Sequence, residues 1–305
     1  MNAIDYAVTV DNRPARSTTL EKCEIGRVGN PAAGAANARL NVASAADLMG
    51  LKDYVISENK AVVRNDPVVL ALLRKSLSRT QYKLYAAQRA YVATNFIRLV
   101  DKGAGLAREA GDEELAAALQ ANLNDEIGMA ADGNRYDALD HRQWKATYLR
   151  AIGIKADVKG FPLLSETRAH VNAFLEMEAT GTMLSIAGTI LSLENIIPLE
   201  YRAAVSSRDH LFPGIFCLSE KDDAESRSRK ELARQYLNDH IVHDAKSHFP
   251  QLLQALVKYE GDPVAMREIR AGIDLVNTFR KQFYQGLGAA MQLAQRDMEY
   301  YTYGA

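Results

Sequence analysis

Residues 236–248 read YLNDHIVHDAKSH and place His240, Asp244 and His248 at positions i, i+4 and i+8. On an α-helix with 3.6 residues per turn, each step of four residues drifts by about 40°, so all three lie on one stripe. Imidazole nitrogens and a carboxylate on one helix face suit a divalent metal ion, and the carboxylate is able to bridge two ions. His243 lies off the stripe, close enough to support it. The stretch predicts a helix with metal ligands; the alternative is a solvated face that is rich in histidine.

The chain has helical periodicity from Asn65 onward, in segments bounded by cap residues, glycines and prolines. Asp66-Pro67 and Asp262-Pro263 are typical helix starts, because proline lacks the N–H group that the first turn leaves unpaired. No segment alternates polar and apolar residues for long enough to indicate a strand. The predicted helical segments are 68–107, 112–131, 136–152, 165–178, 182–193, 224–258 with a bend at Pro250, and 263–301. We therefore predict an all-α bundle of about seven helices, in one domain over residues 63–305.

Residues 1–62 have neither a helical nor a strand period and contain the run GNPAAGAANA. We interpret them as an irregular or partly ordered N-terminal extension, with a short helix near Ala45–Leu51. Their first residues lack the basic start and apolar run of a secretory signal. The longest weakly polar stretch, residues 181–193, is too short to span a bilayer. We expect no membrane association and a cytoplasmic protein.

The composition excludes several classes of function. The 305 residues carry 37 Lys+Arg against 38 Asp+Glu, a net charge of −1, so no excess of cations is present to neutralise nucleic-acid phosphates. Cys23 and Cys217 are the two cysteines, which excludes a disulfide framework and a cysteine-rich zinc site and suits a reducing compartment. The six histidines, three of them within nine residues, are the informative part of the composition.

Two further signals accompany the histidine stripe. Glu126 lies in NLNDEIG before a predicted break at Gly133-Asn134, and His141 lies in the helix predicted after that break. Glu194 ends a nearly uncharged run, where a buried carboxylate is costly unless something compensates its charge. Each acid alone also fits a solvated helix face. The combined set is Glu126, His141, Glu194, His240, Asp244 and His248. Three carboxylates and three imidazoles suit two non-haem irons with open positions for dioxygen, and suit a closed four-coordinate zinc site poorly.

These residues resemble the haem-oxygenase-like diiron oxidases and oxygenases. The resemblance rests on four elements in the family's order: N-L-x-D-E-x-G at 122–128, H…L-x-x-I-G at 141–153, G-x-x-L-x-x-E-x-x-x-P at 188–198, and H-x-x-x-D with a following histidine at 240–248. The chain departs from the family in two places. Fourteen residues separate Glu126 from His141, where the family has a shorter gap. The final histidine of the family commonly follows the aspartate by three residues, where this chain has Ser247 and then His248.

The resemblance implies a fold, a cofactor and a chemistry. It implies a haem-oxygenase-like helical bundle in which the six residues hold two Fe(II) ions, with O2 as co-substrate and a peroxo-diferric intermediate. The substrate expected is a small metabolite, an amino acid or a derivative, cleaved oxidatively at a C–C or C–H bond. N-oxygenation of an amine is the alternative, disfavoured because residues 68–99 contain no Asp or Glu. An external reductant and a homodimer are further expectations.

Other functions stay open from the sequence. One is a thiaminase-like hydrolase with a core cysteine nucleophile, for which Cys217 is the candidate, although no paired base lies nearby in sequence. Another is a haem-binding bundle with one axial histidine, and a third is a non-catalytic helical binding protein whose histidine stripe is incidental. Three arginines, Arg142, Arg202 and Arg267, could hold a substrate carboxylate, although a role as ordinary surface residues is the stronger interpretation.

Overall fold

The computed structural model describes residues 50–129, 140–158 and 160–292, apart from the side chain of His243. The predicted all-α class is confirmed: these residues form twelve α-helices and one π-helical turn, and no β-strand. The helices are α1 (Leu51–Val63), α2 (Pro67–Leu73), α3 (Arg79–Ala93), α4 (Phe96–Glu109), α5 (Glu113–Ile127), α6 (His141–Ala151), α7 (Ser165–Thr180), α8 (Met183–Leu211), α9 (Pro213–Phe216), α10 (Ala224–His243), α11 (Phe249–Val257) and α12 (Pro263–Ala290). The π turn is Asp244–His248, between α10 and α11.

The helices outnumber the expected seven because local caps divide the longer predicted segments. The segment predicted at 68–107 contains α2, α3 and α4. Ser78 starts α3 with a capping box, in which its side chain accepts from the Gln81 N–H and the Gln81 side chain accepts from the Ser78 N–H. This reciprocal pair satisfies two N–H groups that the helix start leaves free, and so favours a new helix there.

Helix α8 runs through the middle of the bundle and packs against α12, α10, α2, α1 and α4. It continues past Pro198 to Leu211, beyond the predicted end, because burial stabilises a helix that proline alone would interrupt. Its backbone meets that of α12: a Cβ atom on Gly188 would lie 2.1 Å from the Ile269 carbonyl oxygen, and one on Gly272 would lie 2.1 Å from the Ser185 carbonyl oxygen. Only glycine permits so close a crossing.

Helix α8 is also the one described helix that is long and apolar enough to cross a membrane. The share of its apolar window that is buried inside the bundle is 78%. Neighbouring helices therefore cover the surface that a lipid bilayer would otherwise have to cover, and α8 has the environment of a core helix.

Residues 51–62, predicted as part of the N-terminal extension, are helical and pack into the bundle. Helix α1 buries Leu51, Tyr54 and Val55. The Asn59 side-chain amide donates to the Ser192 carbonyl oxygen at 2.9 Å, which ties α1 to α8. Charged residues on the outer face of α1 conceal this helical pattern in the sequence. The remainder of the predicted extension, residues 1–49, the break at Gly133-Asn134 and residues 293–305 lie outside the described residues.

Candidate metal centre

The structure brings all six predicted ligands together in the core of the bundle. They form two groups, and every member is buried. The first group is Glu126, His141 and His240; the second group is Glu194, Asp244 and His248. Within each group, one nitrogen or carboxylate oxygen of every member lies within 4.8 Å of those of the others. Each group has the size and composition of a site that could hold a metal ion.

An outer aspartate orients the first group. Nδ1 of His141 lies 3.1 Å from Oε2 of Glu126, and Nε2 of the same ring lies 3.0 Å from Oδ2 of Asp239. Since Asp239 accepts a hydrogen bond from Nε2, it leaves Nδ1 directed at the group, as in carboxylate–histidine–metal arrangements. The His240 ring meets the His141 ring edge to face at 4.8 Å, and the Trp144 ring lies 4.9 Å from His141 on the same helix.

The second group has the same design. Nδ1 of His248 lies 3.4 Å from Oε2 of Glu194, and Nε2 of His248 lies 2.8 Å from Oδ2 of Asp125. The other carboxylate oxygen of Glu194 accepts from the Asn122 side-chain amide at 2.7 Å. One oxygen of Glu194 is therefore fixed by Asn122, and the second is turned toward His248.

Asp244 connects the two groups. Its Oδ1 lies 3.4 Å from Nδ1 of His240 and 3.7 Å from Nδ1 of His248. A single oxygen therefore faces one histidine of each group. A carboxylate in this position is able to bridge two metal ions, as in carboxylate-rich dimetal sites in helical bundles.

The π turn accounts for the unusual spacing of the last histidine. A π turn contains one more residue than the corresponding α turn, so the spacing of four from Asp244 to His248 brings the histidine close to where a spacing of three would place it on a regular α-helix. Pro250 follows directly in α11. Because proline cannot donate to the preceding turn, it leaves a carbonyl group free and favours the wider turn at the position where a bend was predicted.

The ends of α5 and α6 bring Glu126 to His141. Helix α5 ends at Ile127. Gly128 caps it, with a φ of 69° in the left-handed region. Helix α6 begins at His141, where Asp140 forms a capping box with Gln143. The histidine is thus held at the first turn of a well-capped helix, and the intervening residues do not keep it from Glu126.

Charges in the site are strongly coupled. Burial by itself would raise the pKa of Glu126, but His141, His240 and His248 outweigh it, and the pKa is lowered. Burial and the neighbouring Asp244 raise the pKa of Glu194. Burial would lower the pKa of His141, yet Glu126 and Asp239 raise it to about 10. Three carboxylates packed in a protein core need compensating positive charge, which protons or metal ions would supply.

Several atoms in the two groups lack a hydrogen-bond partner among the described residues. They are Nδ1 of His141, Nδ1 of His248 and Oε2 of Glu194, and all three are buried. Each of these atoms faces its own group, whereas the opposite atom of each side chain is bound by Asp239, Asp125 or Asn122. Buried polar atoms without partners are costly, so the arrangement fits metal ions as the missing partners.

The site residues predicted from the sequence did not include the supporting residues Asp125, Asp239 and Asn122. A signal for two of them was present, since Asp125 directly precedes Glu126 and Asp239 directly precedes His240. On a helix, however, neighbours point about 100° apart, so adjacency alone does not show that an acid reaches a histidine on another element.

A partly open cavity adjoins the two groups. Its empty volume is about 580 Å³, which includes the open solvent at its mouth. Its lining includes predicted ligands of both groups together with apolar side chains such as Phe96 and Phe174. Three cationic residues of the lining, Arg89, Lys145 and Arg280, come from α3, α6 and α12. Burial lowers the pKa of Lys145 to about 8.

The other residues singled out in the sequence lie elsewhere. Arg202 and Arg267 are exposed, as the surface interpretation expected, whereas Arg142 lies at the cavity with a mostly exposed side chain. Cys217 is exposed and its thiol contacts the Asp209 carbonyl oxygen, so it is no core nucleophile. His170 is buried; burial and the charges of Arg280 and Arg89 lower its pKa and keep it neutral.

Solved structures share the fold of this chain. A CADD-like protein of unknown function from Nostoc punctiforme matches with a TM-score of 0.57 and 17% identity, over 78% of this chain and 97% of that chain. A TenA homolog from Pseudomonas syringae pv. tomato matches with a TM-score of 0.59 and 12% identity, over 79% of this chain and 94% of that one. No family model and no curated protein match the sequence. At these identities the likeness establishes the all-helical fold and leaves the chemistry to be argued from the site.

Proposed function

We propose that the protein is a non-haem diiron enzyme that uses O2 to oxidise a small metabolite. The observation that carries the proposal is a set of buried atoms that face carboxylates or histidines of their own group without forming a hydrogen bond: Nδ1 of His141, Nδ1 of His248 and Oε2 of Glu194. Oxygen and nitrogen donors without thiolate suit iron, and six donors shared between two ions leave positions for other ligands. Two Fe(II) ions bound there would supply electrons for the reduction of dioxygen.

The protein's own residues would fix the geometry of that chemistry. Asp239 and Asp125 hold the histidine rings with Nδ1 directed inward, and Asn122 holds the Glu194 carboxylate. The apolar wall of the cavity keeps water from the groups while a substrate is bound, which strengthens every electrostatic contact inside. Asp244, which faces a histidine of each group, would bind the two ions together.

Cleavage of a C–C or C–H bond is the reaction class we favour. In the family that the sequence resembles, members that oxygenate amine nitrogens can carry an additional carboxylate ligand on the preceding core helix. In the described lining of the cavity, α3 and α4 contribute Arg89 and apolar residues, and no carboxylate. N-oxygenation uses the same metal groups, so product analysis with an amine substrate separates the two.

Metal loading tests the proposal. Protein loaded anaerobically with Fe(II) should bind about two irons per chain and show an absorption change when O2 is admitted. His240→Ala and Glu194→Ala should each lose iron, whereas His210→Ala, at an exposed histidine on the same α8, should keep both. Binding at the first group should also quench Trp144, the single tryptophan, whose ring lies 4.9 Å from His141.

Three results would overturn it. One is iron binding by His240→Ala and Glu194→Ala that equals that of the unmodified protein. Another is full iron loading without any response to O2, which would leave a metal-containing binding protein. The third is a protein that takes up no metal at all, which would favour the non-catalytic helical binding protein.

A further inference from the structure

Three helices bring two buried guanidinium groups to one buried carboxylate beside the metal groups. Nη2 of Arg89 on α3 lies 3.4 Å from Oε2 of Glu200 on α8. Nε of Arg280 on α12 lies 3.1 Å from Oε1 of the same carboxylate. The exposed fractions are 5% for Arg89 and 0% for both Glu200 and Arg280. Both arginines line the cavity that also contacts Glu126, Glu194 and Asp244.

The charges of this cluster do not balance. Among the described residues, Glu200 is the sole acidic partner within 4 Å of either guanidinium. Arginine stays protonated even when buried, so two positive charges face one negative charge. Nearby His170 adds no charge to the cluster, since burial and the two arginines lower its pKa and keep it neutral. Within this cluster, one positive charge is therefore left without an ion-pair partner of its own, and a buried charge without a partner is costly.

Free donor atoms mark where a partner would bind. Nη1 and Nη2 of Arg280 and Nε of Arg89 have no hydrogen-bond partner in the described part of the chain, and all are buried. A guanidinium presents its N–H groups as a flat fork that matches the two oxygens of a carboxylate. The fork of Arg280 thus lacks its usual partner in a cavity wall.

We propose that Arg280, together with Arg89, binds the carboxylate of a small monocarboxylic acid with an apolar body. The inference rests on the proposed function, because it takes this cavity to be the substrate-binding site. A single leftover positive charge matches a monoanion better than a phosphate dianion. The body of such an acid would lie along Phe96, Phe174 and Ile197, beside the metal groups. Bound in this way, the acid presents its chain, and not its carboxylate, to the metal groups.

Binding of model acids tests this assignment. The probes are hexanoate, its uncharged analogue hexan-1-ol, hexan-1-amine and inorganic phosphate, titrated calorimetrically into metal-free and Fe(II)-loaded protein under anaerobic conditions. Hexanoate should bind at least about tenfold more tightly than each of the other three, in both metal states. Arg280→Gln should weaken hexanoate binding at least about tenfold, and Arg202→Gln, at an exposed arginine of α8, should leave it unchanged.

The conservative variant Arg280→Lys keeps the assay informative if Arg280→Gln does not fold, as judged by circular dichroism. It retains the charge and loses the fork, so it should weaken hexanoate binding by several-fold. Equal binding of hexan-1-ol, tighter binding of phosphate, or hexanoate binding that needs iron and ignores Arg280 would each overturn the assignment. Metal content is measured separately. Protein that binds hexanoate through Arg280 but takes up no iron would therefore contradict the proposed function alone.

Discussion

Nε2 of His248 lies 2.8 Å from Oδ2 of Asp125. Asp125 directly precedes Glu126 on α5, and Glu126 belongs to the first group, with His141 and His240. Two adjacent residues of α5 therefore contact different groups: Glu126 contacts His141, and Asp125 contacts His248. A displacement of α5 would disturb both groups at once. The last turn of this helix thus couples the two halves of the site mechanically.

The outer aspartates should control metal affinity one group at a time. Asp125→Asn removes the acceptor that orients His248, and Asp239→Asn removes the one that orients His141. We expect each variant to weaken one of the two bound metals by about 10–100-fold. Anaerobic Fe(II) titration measures the effect, and Trp144 emission should respond to Asp239→Asn more than to Asp125→Asn. Asp53→Asn, at an exposed position of α1, is the control; a loss of the same size there would refute the assignment.

Deleting Ser247 should convert the π turn into an α turn without losing the second group. The deletion leaves Asp244 and the histidine three positions apart, and an α-helix then presents them on one face. Since π turns are less favourable than α turns, we expect a melting temperature equal to or above that of the unmodified protein, with two metals still bound. Deletion of Leu253 in the regular helix α11 is the matched control and should unfold or destabilise the protein. Loss of one metal on Ser247 deletion would show that the π geometry itself is required.

The crossing of α8 and α12 should tolerate no side chain. Gly272→Ala places a methyl group against the backbone of α8 near Ser185 and should destabilise the protein by about 1–3 kcal/mol or more. Gly288→Ala, on the same helix, meets Val68 at an ordinary 3.8 Å and should be neutral or stabilising by up to about 1 kcal/mol. Thermal unfolding of both variants checks the contrast. Similar melting temperatures would mean that the two helices are not packed backbone to backbone.

The two aspartate caps should respond to pH with opposite signs. Burial raises the pKa of Asp66 to about 6 from its ordinary 3.8. Between about pH 4 and pH 6 the folded state keeps a proton that the unfolded chain has lost, so stability falls as the pH rises through this window. Asp66→Asn keeps the cap and removes the charge. It should therefore stabilise the protein by about 1–2 kcal/mol at pH 8 and have little effect at pH 4.

Asp112 is the matched control for this pH dependence. Burial alone would raise its pKa, but its contacts with Lys258 and Tyr259 lower it. A lowered pKa stabilises the folded protein above the ordinary pKa and the stabilisation is lost as the pH falls. Asp112→Asn should consequently destabilise the protein at pH 8, and less so at pH 3. Urea unfolding at the two pH values measures both variants, and stabilisation by Asp112→Asn would contradict the reasoning.

Much of the fold and of the candidate site was accessible from local patterns. Helical periodicity identified the all-α class, and the scarcity of histidine drew attention to His240 and His248. Glu194 was detectable because a carboxylate at the end of an apolar run is conspicuous. These signals depend on residues a few positions apart, for which helix geometry is a sufficient guide.

What the sequence concealed depends on contacts between distant residues. The cluster of Arg89, Glu200 and Arg280 joins three helices, and each member alone looks like an ordinary charged residue on an amphipathic helix. The arginines predicted from the sequence, Arg142, Arg202 and Arg267, are different ones, and all three are exposed. Helix α1 was missed for a related reason, since charges on its outer face obscure a buried stripe that only packing against α8 makes visible.

Three of the six predicted ligands, His240, Asp244 and His248, are carried by one uninterrupted stretch of helix, α10 with its π turn. The turns of this one stretch set the distances between the three side chains, which belong to both groups. A change in its helical geometry would therefore displace ligands of both groups together, whereas a substitution of a single side chain would affect one group.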